Sequence, residues 1–136
     1  MLPRMNSTQI VPIFATDRMA ATRHFWIEQL GCQLSFDHPA YLGVRTGAAD
    51  APELGFMQPD ADAPEPFAGA GAWLSLRVAD ADAECARLRR AGLTIRDELA
   101  DMPWGSRRFT VVDPNGIVVS IHHPIPMTPE FAAHSK

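Results

Sequence analysis

The sequence predicts an α+β fold made of two tandem βαβββ modules. First, residues 104–123 alternate apolar and polar side chains in two runs around a turn, which indicates a β-hairpin. Second, the order of strand and helix patterns recurs in the second half at an offset of about 60 residues, which indicates an internal duplication. Third, residues 58–71 are rich in Pro, Ala, Asp and Gly without periodicity, which is typical of a linker.

The bulk composition is that of a globular protein. The chain has 136 residues, of which 46% are hydrophobic and 21% charged, with a formal net charge of −4. No apolar run approaches the roughly 20 residues of a membrane span, and the acidic balance offers no patch for nucleic acid. No export signal is recognisable at the N-terminus. We therefore expect a cytoplasmic protein without nucleic-acid or membrane partners, with Cys32 and Cys85 as free thiols.

The first module opens with a short β-rich run, Gln9–Ala15. Pro12 within it lacks an N–H donor, which favours an edge or junction strand. Asp17 is the predicted N-cap of a helix that ends near Leu30-Gly31, where glycine is a natural C-cap. Three strands follow, at Cys32–Asp37, Tyr41–Thr46 and Glu53–Met57. The predicted apolar positions of the helix and the strands are Met19, Ala20, Phe25, Trp26, Leu30, Leu34, Phe36, Leu42, Val44, Leu54 and Phe56.

The second module repeats this order. A strand at Trp73–Val78 leads to a helix that Asp80 caps and that ends at Ala91-Gly92. The segment from Ile10 to Asp17 can be laid directly over the segment from Trp73 to Asp80. The remaining strands are predicted at Thr94–Asp97, Arg108–Val112 and Ile117–His122.

The last two strands form the predicted hairpin. The turn Asp113-Pro114-Asn115-Gly116 fixes one φ at proline and then supplies residues that tolerate positive φ. One hairpin face is wholly apolar and is predicted to be core: Phe109, Val111, Ile117, Val119 and Ile121. The domain is therefore expected at residues 9–124, with module one at 9–57, the linker at 58–71 and module two at 72–124. Residues 1–8 are a predicted flexible N-terminus and residues 125–136 a tail.

The C-terminal motif resembles a known family. Trp104-Gly105-Ser106-Arg107, then Phe109 and Val111, then Asp113-Pro114-Asn115-Gly116, is similar to the signature of the glyoxalase/bleomycin-resistance/extradiol-dioxygenase superfamily, the vicinal oxygen chelate fold. The resemblance extends from about Gln9 to His123. It implies a curved half-barrel sheet with helices on the convex face and the ligand on the concave side.

The resemblance also implies four metal-ligand positions, which enzymes of the family fill with His or Glu. Carried over one by one, they fall on Ile10, Glu53, Trp73 and Ser120. Glu53 alone keeps a ligand type, whereas a metal site needs three or four converging donors. We therefore expect no metal and no cofactor. His122, on the same strand face as Ser120, is the other side chain that could share a site with Glu53.

Strand parity selects the residues expected on the concave side. Aromatic area with a few polar groups is what a small-molecule pocket requires. Trp104, which precedes its strand, is added as a lid at the mouth of the pocket. The predicted ligand-binding residues are then Phe14, Tyr41, Glu53, Met57, Trp73, Arg77, Trp104, Arg108, Thr110, Ser120 and His122. Parity adds Arg45 to this side. For Trp73 and Trp104 the alternative is packing inside the cavity or at a dimer interface.

The function expected from these residues is metal-independent binding of a drug-like or aromatic and amphipathic small molecule by a homodimer of the bleomycin-resistance type. Arg77 and Arg108 are suited to gripping a carboxylate or phosphate, and pairing with Glu53 is the alternative. A second hypothesis is a lyase or isomerase of the glyoxalase type that uses Glu53 or His122. A third is a dimeric module whose cavity is filled by its own side chains.

Overall fold

The computed structural model describes residues 3–62 and 64–136. Residues 1 and 2 of the predicted flexible N-terminus and residue 63 of the predicted linker lie outside the described residues. The described residues form two compact units, which divide between Phe67 and Ala68. Each unit is one βαβββ module, so the predicted α+β fold of two such modules is confirmed. In the described part of the chain, no helix has the length and apolarity that crossing a membrane requires.

The first unit is a four-stranded mixed sheet with one helical connection. Its elements are β1 (Ile13–Ala15), α1 (Met19–Arg23), a π-helical segment (His24–Gln29), β2 (Gln33–His38), β3 (Tyr41–Arg45) and β4 (Glu53–Met57). The strand order is β1-β4-β3-β2; β1 runs parallel to β4, and the other pairs are antiparallel.

The helical connection covers one face of this sheet with aromatic side chains. The π-helical register lets consecutive Phe25 and Trp26 both be buried, and the Trp26 ring lies 5.9 Å from that of Phe56 on β4. Leu42 and Val44 complete this core. The predicted N-cap is wrong: Arg18 precedes the first helical residue and Asp17 is exposed. Thr16 accepts a hydrogen bond from the Arg18 N–H instead.

The second unit repeats the plan. Its elements are β5 (Trp73–Arg77), α2 (Ala81–Arg90), β6 (Asp97–Met102), β7 (Ser106–Val112), β8 (Val118–Pro124) and a short helix α3 (Pro129–Ala132). The strand order is β5-β8-β7-β6, with β5 parallel to β8. All five predicted apolar hairpin residues are buried, together with Ala81, Cys85 and Leu88 of α2. The buried Cys85 and the half-buried Cys32 are not joined in a disulfide.

The turn of the hairpin is a closed hydrogen-bond network. One carboxylate oxygen of the buried Asp113 accepts from the N–H groups of Asn115 and Ile117, both at 2.9 Å, and the other accepts from the Asn115 amide at 3.1 Å. Gly116 has a φ of +84° and Gly69, at the end of the linker, a φ of +86°. Gly69 approaches so closely that a Cβ on it would lie 2.4 Å from the Gly116 carbonyl. The family-like motif therefore serves folding at this turn.

Candidate functional site

Each sheet has one face that its own helix does not cover. On the first sheet this face, here the first helix-free face, carries Ile13, Ser35, Phe36, Tyr41, Gly43, Arg45, Glu53, Gly55 and Met57. On the second sheet the second helix-free face carries Trp73, Ser75, Arg77, Asp97, Arg108, Thr110, Val112, Val118, Ser120 and His122. All the predicted ligand-binding residues except Phe14 and Trp104 lie on one of these two faces.

Glu53 on the first helix-free face is already held by two neighbours. The Ser35 hydroxyl donates to one carboxylate oxygen at 3.1 Å, and the Arg45 guanidinium donates to the other at 3.3 Å. Both partners of the Arg45–Glu53 ion pair are mostly buried. The carboxylate is thus oriented within its sheet and charge-balanced, which favours a positioning role over proton transfer.

Aromatic rings dominate the rest of the first helix-free face. Tyr41 lies flat across Gly55, where a Cβ would be 2.1 Å from the Tyr41 hydroxyl oxygen. Phe36 packs edge-on against Tyr41 with ring centroids 5.9 Å apart. A β-bulge between Leu34 and Phe36 turns Phe36 to this side and leaves it 56% exposed. The prediction that Phe36 belongs to the core is therefore wrong.

The second helix-free face is ordered in rows across three strands. Cross-strand register puts Arg77, His122 and Arg108 side by side on β5, β8 and β7. The next row holds Ser75, Ser120 and Thr110, and the third holds Trp73, Val118 and Val112. The face thus changes along the strand direction from cationic through hydroxyl-bearing to apolar. Thr110 and Ser120 are buried, so they form the floor of this face.

A serine–histidine pair joins the first two rows. The Ser75 hydroxyl and the Nδ1 atom of His122 are 3.0 Å apart. Burial lowers the pKa of His122 below its usual value, and the positive charge of Arg77 lowers it further. His122 is therefore a neutral imidazole at pH 7. Sequence reasoning missed Ser75, because only the β5–β8 register places it beside His122.

A single aspartate, Asp97, lies near two arginine side chains, Arg96 and Arg108. The Asp97 carboxylate lies 3.8 Å from guanidinium nitrogens of both Arg96 and Arg108, and it is hydrogen-bonded to Thr110. Nη1 of Arg108 is buried and has no hydrogen-bond partner. Arg96 also places its guanidinium carbon 5.4 Å from the ring centroid of Trp73, a cation–π contact.

Phe14 does not lie where the sequence predicts. Its ring contacts Phe56 at 5.9 Å and Phe67 at 5.1 Å, on the helix-covered face. Ala15 pairs with Met57 as Arg77 pairs with His122, so the first strands of the two modules are offset by 62 residues, one fewer than the overlay of Ile10 on Trp73 implies. A shift of one residue moves every side chain of a strand to the other face. Val11, not Ile10, is the counterpart of Trp73.

The observed register also changes the interpretation of Ile10 and Ser120, two of the positions carried over from the resemblance. Ile10 precedes β1 and is 82% exposed. Ser120 is the counterpart of Gly55 rather than of Glu53, so the positions carried over from the resemblance are not equivalent in the two modules. Trp104 lies in the turn between β6 and β7, half exposed, with its ring 6.2 Å from that of Phe131 in α3.

A cluster of ligand-type side chains lies at the N-terminus of α2, away from both faces. Donor atoms of Asp80, Asp82 and His123 lie within 4.8 Å of one another. Asp80 accepts from the Ala83 N–H at 3.1 Å, and Nδ1 of His123 accepts from the Ala81 N–H at 2.8 Å. Arg107 binds both carboxylate oxygens of Asp82. The three groups thus cap the helix and neutralise Arg107, and the positive helix end disfavours a cation there.

Comparison with known proteins decides the family. The model of the Glyoxalase/Bleomycin resistance protein/Dioxygenase superfamily matches residues 6–121. The chain belongs to this superfamily. No protein of curated function matches the sequence.

Solved structures of the superfamily share the fold. The antibiotic-binding protein TnmS3 from Streptomyces sp. CB03234 is 28% identical, with a TM-score of 0.73 over 90% of this chain and 99% of that one. A glyoxalase/bleomycin resistance protein from the same organism is also 28% identical, with a TM-score of 0.66 over 85% and 99%. A superfamily member from Nocardioides, 18% identical, has a TM-score of 0.76 over 94% and 91% and is similar in fold alone.

Proposed function

We propose that this chain is a small-molecule-binding protein of the bleomycin-resistance type. It holds an aromatic or amphipathic molecule against a helix-free sheet face without a metal ion, and it works as a homodimer in the cytoplasm. The observation that carries the proposal is the exposure of large aromatic rings on sheet faces: Phe36 is 56% and Trp73 54% exposed. Rings of this size in water cost free energy that stacking with a ligand recovers.

The composition of the candidate ligand positions supports binding rather than metal chemistry. Trp73 and Ser120 are poor ligands for a divalent ion, and the Glu53 carboxylate is paired with Arg45 and Ser35. The similarity to TnmS3, which is described as an antibiotic-binding protein, supports the same class of function.

The test is equilibrium binding of planar polycyclic aromatic compounds, followed by ligand fluorescence and by the shift of the unfolding temperature. We expect Phe36→Ala to weaken binding at the first helix-free face and Trp73→Ala to weaken binding at the second, each about five- to tenfold, as loss of one stacking contact does. Met5→Ala, which removes an exposed apolar side chain from the N-terminal segment, should leave binding unchanged. No binding of any planar aromatic to the unmodified protein would refute the proposal.

A lyase or isomerase of the glyoxalase type is the second candidate function. The observation in its favour is the neutral His122 imidazole beside the Ser75 hydroxyl, since such an imidazole can accept a proton at pH 7. Turnover of hemithioacetal substrates that is lost in both His122→Gln and Glu53→Gln would establish it. Turnover that survives both substitutions would remove these residues from the mechanism.

A further inference from the structure

The second helix-free face carries a chemical gradient that specifies its ligand further. Resting on the proposed function, we infer that this face selects planar apolar molecules bearing one carboxylate group. The ring system lies against the Trp73 row and the carboxylate lies at the Arg77–His122–Arg108 row. The inference deepens the proposed function by naming the ligand class.

The spacing of the rows sets the length of the ligand. Trp73 and Arg77 are four residues apart on one strand, which places their rows about 13 Å from each other at about 3.3 Å per residue. The row between them, Ser75, Ser120 and Thr110, carries hydroxyl groups whose hydrogen bonds are largely made within the sheet. A molecule of two or three fused rings with a terminal carboxylate spans this distance.

The charge of the face favours an anion. The described residues of this face include one acidic side chain, Asp97, which lies 3.8 Å from Arg96 and from Arg108, whereas the face also carries Arg77. Within the described chain Arg77 makes no ion pair, and the Asp97 carboxylate lies 3.8 Å from Arg108, beyond hydrogen-bond distance. Guanidinium groups bind carboxylates through paired N–H donors, so a ligand carboxylate would supply the acceptors that this row lacks.

The first helix-free face provides the contrast. Its arginine, Arg45, is matched by Glu53 at 3.3 Å, so the pair has no net charge. The cationic row of the second face also borders open space: a groove of about 600 Å³ adjoins Arg77 and is lined by Val78, Ala79, His123 and Pro124 as well. A carboxylate can therefore reach Arg77 from solvent.

The experiment compares two fluorescent probes with the same ring system, the anionic anthracene-2-carboxylate and the neutral anthracene-2-methanol. Fluorescence anisotropy at pH 7.5 gives the dissociation constant of each for the full-length protein. We expect the carboxylate to bind about tenfold more tightly than the alcohol, as a charge-assisted hydrogen-bond pair provides. Raising the salt concentration should weaken carboxylate binding and leave alcohol binding unchanged.

Substitutions then assign the selectivity to the face. Arg77→Gln changes an exposed side chain and should abolish most of the preference for the carboxylate while alcohol binding persists. Arg108→Lys keeps the charge but loses the paired donors, and should reduce the preference severalfold. Trp73→Ala should weaken both probes equally. Arg90→Gln, an equal change of charge at the exposed end of α2, is the matched control and should change neither.

The outcomes separate the inference from the proposed function. Equal affinity for the two probes, or a preference that Arg77→Gln leaves intact, would overturn the inference while binding of the alcohol upheld the proposed function. Binding of neither probe would overturn both. A preference that Arg77→Gln and Arg90→Gln reduce equally would reveal only the overall charge of the protein and would also overturn the inference.

Discussion

Gly69 and Gly116 allow two segments of backbone to touch where any other residue pair would collide. A Cβ on Gly69 would meet the Gly116 carbonyl carbon and oxygen at 2.4 Å, and both residues have positive φ. We expect Gly69→Ala to lower the free energy of unfolding by about 3 kcal/mol, because a steric clash between main chains adds to the backbone strain.

Gly71→Ala is the matched control for this prediction. Gly71 also has a positive φ, +75°, but a Cβ there meets no atom within 4 Å. It should cost about 1 kcal/mol from strain alone. Urea denaturation of both variants gives the comparison. Equal losses for the two would mean that the Gly69–Gly116 approach contributes nothing beyond its backbone conformation.

Single positions show what a sequence reveals of the site. Strand alternation assigns Tyr41, Glu53 and Trp73 to helix-free faces, because the period of a strand is fixed by its geometry. Phe14 is misassigned because an offset of 62 read as 63 reverses the parity of the whole strand. The bulge that exposes Phe36 inserts one extra residue into β2. No residue type in the strand marks this insertion, so the alternation of apolar and polar side chains does not predict the bulge.

The helix α2 is tied to its sheet by an ion-pair group on its first turn. Arg107 of β7 donates to Asp82 of α2 at 2.7 and 3.1 Å and to Asp101 of β6 at 2.9 Å. The hydrogen bonds from Arg107 lower the pKa of Asp82, and the charge of the guanidinium lowers it further. Asp82 and Asp101 in turn raise the pKa of Arg107.

The Asp82–Arg107 ion pair makes the free energy of unfolding depend on pH in a predictable direction. Because folding lowers the pKa of Asp82, its stabilisation is complete above the usual pKa of 3.8 and is lost as the pH falls through the lowered value. Urea denaturation at pH 7, 5 and 3 should therefore show Asp82→Asn to be less stable than the unmodified protein at pH 7. The difference should shrink at pH 3. A difference that is constant with pH would exclude this ionisation as its cause.

Among the elements, β6 shows where pattern reading fails. The sequence predicts a strand at Thr94–Asp97, whereas the strand runs from Asp97 to Met102. Leu93 instead donates its N–H to Leu88 in the C-terminal cap of α2. Because β6 is rich in acidic residues, its sequence does not resemble a strand. The acidic side chains are tolerated because β6 is an edge strand beside β7, where Arg89 and Arg107 form ion pairs with Glu98 and Asp101. The hairpin is predicted well because turn chemistry and parity agree there.

At the scale of the whole chain, the segment between β4 and β5 is where we expect a protease to cut first. Gln58 and Phe67 donate backbone hydrogen bonds to Ala40 and Ala15, and between them residues 60–62 and 64–66 are exposed. The exposed loop at residues 46–52 is instead closed by backbone hydrogen bonds within itself. Local openness of this kind governs cleavage of a folded protein.

We expect brief treatment with subtilisin to cut first within residues 59–66. Mass spectrometry of the products should show two fragments that meet in this segment, with both βαβββ modules intact. First cuts in the loop at residues 46–52, or within any strand, would contradict the prediction. A variant with two residues deleted from the segment should be cut more slowly, because a shorter connection enters the protease cleft less easily.

The duplicated architecture was predictable as a whole because both copies carry the same succession of periodicities, and family resemblance agreed with it. In contrast, the pairing of side chains on the helix-free faces could not be predicted from the sequence. The Ser75–His122 bond, the Asp97 group and the rows of the second sheet depend on cross-strand register, which joins residues 47 positions apart in the first case. A single sequence carries no direct measure of such register.

The alternation of strand faces also bears on how this protein can change over time. Residues of the helix-covered face and of the helix-free face occupy alternate positions, so substitutions at exposed Trp73, Ser75 and Arg77 leave Leu74 and Leu76 untouched. Recognition can thus vary across a library of variants, or across lineages, with little loss of folding. Thr110 and Ser120 are exceptions, since both are buried. Under the proposed function, we expect selection for a new ligand to fix its first mutations along β5.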